Sequence, residues 1–207
     1  MERFKSKIDA IEKALIGAAK SKPSSDFDLN RDQPQINPSD LRPAAVLIPL
    51  MAGPNGLEVV FTKRSTAMRN HPGQISFPGG KQDETDSSLS HTALREAEEE
   101  INLPQKEVKI IGALPKHLTV SSFLVHPYVG LVPDDFKSKH SKQEVSEVFT
   151  APLDHLLQPA NYQIQGRIWQ GLPRYYFAVP YGPYYIWGAT ARMLRMFADI
   201  LEKQDAY

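Results

Sequence analysis

The chain has 207 residues with a formal net charge of zero, and 41% of its residues are hydrophobic. These values predict one globular domain with its own core, and the neutral charge argues against a protein that holds nucleic acid through a large basic field. The absence of cysteine excludes disulfides and thiolate metal sites, which leaves oxygen and imidazole ligands for any metal ion.

The first part of the chain predicts a helix and then a connector. Apolar residues recur at helical spacing within residues 3–20, which predicts an amphipathic helix. We expect its apolar side to pack on its own domain, and a contact in a homodimer is the alternative. Residues 21–43 are rich in Pro, Ser, Asp and Asn and predict an extended connector. We therefore divide the chain into residues 1–43, the N-terminal helix with its connector, and residues 44–207, the main domain.

The sequence contains no segment that points to a membrane. The first dozen residues alternate charges and lack an apolar signal segment. The longest apolar stretch, Ala44 to Ala52, is far too short to span a bilayer. We therefore expect a cytoplasmic protein that does not contact a membrane.

A hairpin delivers basic residues to one end of the predicted sheet. The apolar segments 44–51 and 57–62 flank the turn residues 53–56 and predict two antiparallel strands. Arg64 follows the second strand, and Arg69 lies in the loop after it. Isolated surface arginines are usually only solvated, so any further role for these two depends on the motif that surrounds them.

Residues 77–103 combine a glycine turn with an acidic helix. The turn Phe-Pro-Gly-Gly at 77–80 lets the backbone pass close to a ligand such as a phosphate. Residues 86–88 are all good N-cap types and mark the start of the helix. Counted from Leu89 at about 100° per residue, small and aliphatic side chains at positions 93, 97 and 101 form one apolar face.

Three carboxylates, those of Glu96, Glu99 and Glu100, lie along one edge of that apolar face, whereas Glu98 points away. Like charges one turn apart repel each other, and a cation relieves the repulsion. An acidic helix is more often a solvated surface; the glycine turn before this one is what favours a metal site. Hard ions such as Mg²⁺ or Mn²⁺ take carboxylate ligands.

The second half of the chain predicts more strands and a terminal helix. Apolar and aromatic segments predict strands at 108–114, 123–132, 162–168, 175–179 and 184–187, and a core stripe predicts a helix over 189–203. His117 and His126 lack the spacing of metal ligands, so neither is favoured as one.

Two motifs together carry a resemblance to a known family. Gly79-Gly80 followed by Arg95-Glu96-Ala97-Glu98-Glu99-Glu100 resembles the Nudix box, the signature of hydrolases that split a diphosphate joined to another moiety. Residues 62–80 keep the spacing T-x-R-S-x3-R-x3-G-x3-F-P-G-G, which is similar to a motif of the coenzyme A pyrophosphatase branch of that family. Residues 119–130 are similar to the same branch, so the resemblance covers most of residues 44–155.

The resemblance implies a fold, an activity and a metal. The fold is an α/β/α sandwich with a mixed sheet, here with an added N-terminal helix. The activity is metal-dependent hydrolysis of the diphosphate of coenzyme A or an acyl-CoA. Glu96, Glu99 and Glu100 are the implied ligands of Mg²⁺ or Mn²⁺, and Arg95 is expected to brace a box carboxylate by an ion pair.

The resemblance also implies roles outside the box helix. Arg64 and Arg69 become candidate substrate-binding residues together with Gly79 and Gly80, because arginine grips phosphate oxygens with a planar fork. Nudix enzymes commonly place one further glutamate in a loop that faces the box helix, as a metal ligand or base. Glu144 is the first candidate for this role, and Glu147 is the second.

Two departures from the general pattern and several alternatives stay open. Asp86 and Ser87 stand where the general box has a glutamate, in a longer loop that the coenzyme A branch shares, and Asn102 stands for the usual glycine. The adenosine 3′-phosphate of coenzyme A needs a cation, for which Arg64, Arg69 and the loop 137–142 compete. The alternatives to a CoA pyrophosphatase are a hydrolase of ADP-ribose or NADH and a non-catalytic nucleotide-binding module.

Overall fold

The structure is a computed structural model that describes residues 1–30, 36–67, 71–140, 143–169 and 171–205. Its helices are α1 (Lys5–Leu15), α2 (Leu89–Ile101), α3 (Leu153–Leu157) and α4 (Ala189–Asp205). Its strands are β1 (Ser24–Ser25), β2 (Arg42–Ala52), β3 (Leu57–Arg64), β4 (Ile75–Ser76), β5 (Gly79–Lys81), β6 (Lys109–Ala113), β7 (His117–Leu118), β8 (Phe123–Leu131), β9 (Val145–Pro152), β10 (Gln163–Trp169), β11 (Leu172–Tyr181) and β12 (Tyr184–Trp187).

A mixed sheet forms the centre of the fold. Within the described ranges it contains nine strands, with the main order β1-β7-β8-β2-β3-β4 and with β5, β6 and β9 paired beside β2, β8 and β3. β2 runs parallel to β8 and antiparallel to β3, with Leu50 opposite Val59. The predicted hairpin of β2 and β3 is therefore confirmed.

β2 separates the helices into two layers because successive side chains of a strand point to opposite faces. Ala45 and Leu47 face α2 and pack with its buried residues Ala93, Ala97 and Ile101. The alternate residues of β2 belong to the core on the other face, where α1, α3 and α4 pack. The α/β/α sandwich and the apolar face predicted for the acidic helix are both confirmed.

The N-terminal helix is present and shorter than predicted. α1 ends at Leu15, and Gly17 turns the chain in the left-handed conformation at φ 76°. Ile8 and Ile11 are buried in the common core, so α1 packs on its own domain as expected. The predicted connector is not free of regular structure, because β1 pairs in parallel with β7. The division of the chain at residue 43 stays a prediction.

The last three strands form a separate antiparallel sheet in the order β10-β11-β12. Val179 of β11 and Ile186 of β12 are fully buried in the core beneath α4. All seven residues of β10 are exposed. The sheet is thus anchored by two strands and extends away from the core along the third. Among the described residues, no helix is long and apolar enough to cross a membrane.

Candidate active site

The acidic helix α2 is fixed at both ends and along one face. The Ser88 side chain caps its N-terminus by accepting a hydrogen bond of 3.1 Å from the His91 backbone N–H. Asn102 ends the helix in the left-handed conformation, at φ 58°. The fully buried Ala93 and Ala97 set its rotation about the axis. The acidic edge of α2 therefore lies beside the glycine turn that begins β5.

Arg95 is the centre of an ion-pair network on this edge. Its guanidinium donates two hydrogen bonds of 3.0 Å to the Asp86 carboxylate, and it also donates to Glu96 Oε1 at 3.0 Å and to Glu99 Oε2 at 3.1 Å. Asp86 is fully buried at its side chain and accepts a further bond of 2.9 Å from Thr92 Oγ1. The hydrogen bonds from Arg95, supported by those from the surrounding donors, hold the pKa of the Asp86 carboxyl far below its usual range. Arg95 thus sets the distance between the Glu96 and Glu99 carboxylates, and Asp86 fixes the position of Arg95.

The glycine turn is pressed against both β2 and α2. A Cβ atom on Gly80 would come within 2.4 Å of Glu96 Oε1, and one on Gly79 would come within 2.4 Å of the Ala45 carbonyl oxygen. Any other residue at position 80 would displace the Glu96 carboxylate from its present position. Burial raises the pKa of the Glu96 carboxyl, and the charge of Arg95 opposes that rise.

Glu100 faces the same turn from one helical turn further along α2. The Gly79 backbone N–H favours the ionised form of its carboxylate and so opposes the rise of its pKa, yet its Oε2 atom is buried with no hydrogen-bond partner in the described part of the chain. Burial raises the pKa of the Glu100 carboxyl to about 8; the negative charge of Glu96 adds to the rise, and the positive charge of Arg64 opposes it. The site therefore holds a buried acceptor that either a proton or a cation would satisfy.

β3 and β9 bring Arg64 and Glu144 to this place. Arg64 ends β3 opposite Val145, the first residue of β9, and the Ser65 N–H donates a bond of 2.9 Å to the Glu144 carbonyl oxygen. The side-chain charges of Arg64 and Glu144 both act on the carboxyl of Glu100. Arg64 Nε is buried and, among the residues that the structure describes, has no hydrogen-bond partner. An unpaired donor and an unpaired acceptor of opposite charge thus lie at one site.

Glu147, the second candidate for the additional glutamate, is engaged elsewhere. Its Oε1 atom accepts a hydrogen bond of 2.6 Å from the Tyr184 hydroxyl, and its Oε2 atom lies 3.8 Å from Lys63 Nζ. Glu144 is instead exposed. These contacts favour Glu144 over Glu147 as a side chain that can act at Glu100.

The donor set fits a hard divalent cation at Glu96 and Glu100. Both carboxyls are buried enough to have raised pKa values, and the unpartnered Oε2 of Glu100 is the kind of atom that a cation completes. In the described ranges no three His, Asp or Glu side chains converge into a ready metal site, and Glu99 is mostly exposed with its carboxylate bonded to Arg95. The three-glutamate ligand set therefore stays a prediction.

A cavity of about 330 Å³ adjoins the carboxylates. Arg64 and Gly79, two of the residues that act on Glu100, also line this cavity. Its other walls come from the three-stranded sheet, from the start of α4, and from Asp26 and residues 119–121 beside β1 and β7. We call it the sheet cavity below; its volume falls in the range of small-ligand sites.

All predicted site residues but one lie in the described ranges. The residues that the structure brings together are Arg64, Gly79, Gly80, Arg95, Glu96, Glu99, Glu100 and Glu144. Arg69 lies outside the described residues, as does Lys142 at the end of the basic loop. His117 is fully buried and bonded to Ser24 Oγ at 2.8 Å, in keeping with a structural role.

Two features of the site were not predicted from the sequence. Asp86 stands out only as a departure from the box, yet it fixes Arg95; a carboxylate nine residues before an arginine was the available signal. The cavity wall with Arg167 and Trp187 had no signal at all, because a single arginine in an exposed strand is ordinary.

The family model and the similar proteins described below all belong to one family. A family model described as the NUDIX domain matches residues 41–170. A protein named "Uncharacterized Nudix hydrolase NudL" from Shigella flexneri serotype 5b (strain 8401) is 41% identical over 175 residues, which cover 84% of this chain and 90% of that protein. A protein of the same name from Escherichia coli O139:H28 is 41% identical over 179 residues, covering 84% and 92%.

Solved structures resemble the chain more distantly. The MutT protein from Methanosarcina mazei Go1 matches with a TM-score of 0.48 and 18% identity, over 81% of this chain and 98% of that one.

Proposed function

This chain belongs to the Nudix family and is a hydrolase of nucleoside diphosphate derivatives, and from that premise we propose that its substrate is coenzyme A or a CoA thioester. Water adds to one phosphorus, the bridging P–O bond breaks, and the proton of the water passes to the base or the departing phosphate. The products are 3′,5′-ADP and 4′-phosphopantetheine or its acylated form.

The observation that carries the proposal is the meeting of two sequence motifs at one site. Arg64 belongs to the upstream motif that resembles the coenzyme A branch, and Glu100 belongs to the box. Arg64 acts electrostatically on Glu100, and each residue keeps a buried polar atom without a partner. A diphosphate with a divalent cation would supply a partner to both atoms, since phosphate oxygens accept from guanidinium and carboxylate oxygens bind cations.

The side chains divide the chemistry between them. Arg64 binds phosphate oxygens through the free N–H at Nε, and Glu96 and Glu100 would hold the cation. When bound, Mg²⁺ or Mn²⁺ neutralises phosphoryl oxygens and lowers the pKa of the attacking water. Arg95 positions Glu96 and does not touch the substrate. Glu144, exposed beside Glu100, accepts the proton of the water.

A panel of substrates tests the proposal. Coenzyme A, acetyl-CoA, ADP-ribose and NADH are each incubated with Mg²⁺ or Mn²⁺, and the products are separated by chromatography. We expect release of 3′,5′-ADP from the two CoA compounds at a kcat/KM well above that for the other two. Faster turnover of ADP-ribose or NADH would replace coenzyme A as the substrate class, and no turnover of any compound would contradict a catalytic role.

A further inference from the structure

The sheet cavity continues from Arg64 and Gly79, beside the carboxylates, towards the three-stranded sheet. Arg64 and Gly79 lie at the Glu100 end, and Arg167, Trp169, Tyr176 and Trp187 of the sheet line the cavity as well. A substrate with its diphosphate at Glu100 therefore has this cavity available for one of its two ends. The lining combines arginines with aromatic rings, which suits a phosphorylated nucleoside because bases stack on rings and phosphates bind guanidinium groups.

The arginines of the wall differ in whether their charge is already compensated. Arg192 donates to Asp28 at 2.8 Å, and Arg174, largely buried, lies 3.8 Å from Asp26. Arg167 has no carboxylate within ion-pairing distance in the described part of the chain, and its guanidinium stacks on the Trp187 ring at 4.5 Å from the centroid. Stacking leaves the N–H edge of a guanidinium free to bind an anion in its plane.

Arg167 is not part of the packing around the hydrophobic core. It lies on β10, where all seven residues are exposed. The Tyr176 ring, on the adjacent strand β11, lies 5.9 Å from the guanidinium, and Trp187 belongs to β12 beyond it. The two rings hold the long side chain against the sheet, which lowers the entropy that Arg167 loses when it binds an anion.

We propose that Arg167, stacked on Trp187, binds the ribose 3′-phosphate of the substrate, while the adenine stacks on the aromatic rings of the same wall. The proposal rests on the proposed function for the adenine base and for the 3′ position of the phosphate; the lining itself supports a nucleoside that carries a phosphate. It assigns to β10 the task for which Arg64, Arg69 and the loop 137–142 were the candidates from sequence. Arg64 is thereby left for the diphosphate beside Glu100.

The two tryptophans of the chain provide a direct readout. Trp169 and Trp187 are the only tryptophans in the sequence, and both line the cavity. Tryptophan fluorescence is titrated with 3′,5′-ADP and with 5′-AMP, without turnover, and calorimetry repeats each titration. We expect 3′,5′-ADP to bind at least about tenfold more tightly than 5′-AMP to the wild type, which corresponds to one charge-assisted contact.

Variants of Arg167 decide the proposal. Arg167→Ala should lose about tenfold in affinity for 3′,5′-ADP and little for 5′-AMP, and Arg167→Lys should fall between because it keeps the charge and loses the planar fork. Arg42→Ala is the matched control, since Arg42 also stacks on a ring, that of Phe123 at 4.1 Å, outside the cavity lining. Equal affinities of the wild type for the two nucleotides, or an unchanged ratio in Arg167→Ala, would overturn the proposal.

Turnover separates this proposal from the proposed function. If the wild type cleaves coenzyme A and Arg167→Ala keeps the same preference for coenzyme A over dephospho-CoA, the function stands and the role of Arg167 is wrong. If the wild type does not cleave coenzyme A but the ratio of the affinities for 3′,5′-ADP and 5′-AMP falls in Arg167→Ala, the cavity binds phosphorylated nucleosides and the proposed substrate is wrong.

Discussion

The guanidinium of Arg95 and the carboxylate of Asp86 are joined by two hydrogen bonds, from Nε to Oδ1 and from Nη2 to Oδ2, each 3.0 Å long. The pair is largely buried. The third nitrogen of the guanidinium, Nη1, donates to Glu96 and to Glu99 of the same helix. The box carboxylates therefore depend on a residue outside the helix for their spacing.

Asp86→Asn should destabilise the fold and lower activity together. The substitution keeps the shape but leaves the Arg95 charge without its buried partner, a change that typically costs about 3 kcal/mol or more. Urea denaturation measures the loss. Asp83→Asn is the control because Asp83 lies 3.7 Å from Arg95 Nη2 with its side chain about half exposed, and its loss should stay within about 1 kcal/mol. Equal losses in the two variants would contradict the role of Asp86.

The stability that Asp86 contributes should depend on pH in one direction. The folded-state pKa of its carboxyl lies below the unfolded value, so the contribution is present above the ordinary pKa of aspartate, about 3.9, and is lost as the pH falls towards the folded pKa. In acid denaturation followed by circular dichroism, the midpoint should therefore lie at a higher pH in Asp86→Asn than in the wild type. An acid transition at the wild-type pH would argue against the ion pair.

The two glycines of the turn should respond differently to alanine. A Cβ on Gly79 meets backbone, the Ala45 carbonyl oxygen at 2.4 Å, whereas a Cβ on Gly80 meets the movable end of the Glu96 side chain. Gly79→Ala should lower the free energy of unfolding by a few kcal/mol, about as much as overpacking a core. Gly80→Ala should keep the stability within about 1 kcal/mol and instead weaken Mn²⁺ binding, measured by calorimetry, because Glu96 is displaced. A stable Gly79→Ala variant would contradict the close approach of β5 to β2.

The parts of this site that the sequence predicted are those governed by local rules. The apolar stripe through Ala93, Ala97 and Ile101 follows the helical period, so both the helix and its buried face were predictable. The strands β4, β5 and β7 have two or three residues each and therefore carry no periodic signal. Their pairing depends on the strands beside them.

The contacts that the sequence did not predict are those between distant segments. Arg167 and Arg64 are about a hundred positions apart in the sequence and line one cavity. Asp86 reaches Arg95 through a loop whose conformation depends on the Asp83 N–H bond to the Asp86 carboxylate, 2.9 Å long. A motif fixes which residue types occur at a spacing, but not which partner each side chain finds.

Glu100 should make the metal-free protein less stable as the pH rises. The carboxyl has its pKa raised to about 8 in the folded protein, above the ordinary glutamate value of about 4.3. Its stabilising contribution is present below the unfolded pKa and is lost as the pH rises through the folded pKa, by an amount on the order of 5 kcal/mol. Glu100→Gln cannot ionise, so at pH 8 in EDTA it should unfold at a higher temperature than the wild type.

A control variant and the addition of Mn²⁺ complete the experiment on Glu100. Glu98→Gln changes an exposed glutamate of the same helix, which bonds to Gln105 at 2.8 Å, and should follow the wild-type pH curve. Adding Mn²⁺ at pH 8 should raise the unfolding temperature of the wild type and of Glu98→Gln more than that of Glu100→Gln. If Glu100→Gln keeps both the wild-type pH curve and the wild-type response to Mn²⁺, Glu100 is not the buried ligand.

Glu144 and Glu147 should separate catalysis from stability. Glu144 is exposed beside Glu100 and acts on its charge, whereas Glu147 accepts a hydrogen bond from Tyr184 and lies near Lys63. Glu144→Gln should lower kcat by about 10² with KM nearly unchanged, as expected for loss of a general base. Glu147→Gln should keep kcat and lower the free energy of unfolding by less than about 1 kcal/mol, because the Gln amide oxygen can still accept from Tyr184 and only the half-exposed ion pair with Lys63 is lost. Because both substitutions remove one negative charge from the same strand region, a shared electrostatic effect would change both rates equally. A loss of kcat in Glu147→Gln with full activity in Glu144→Gln would move the base to Glu147.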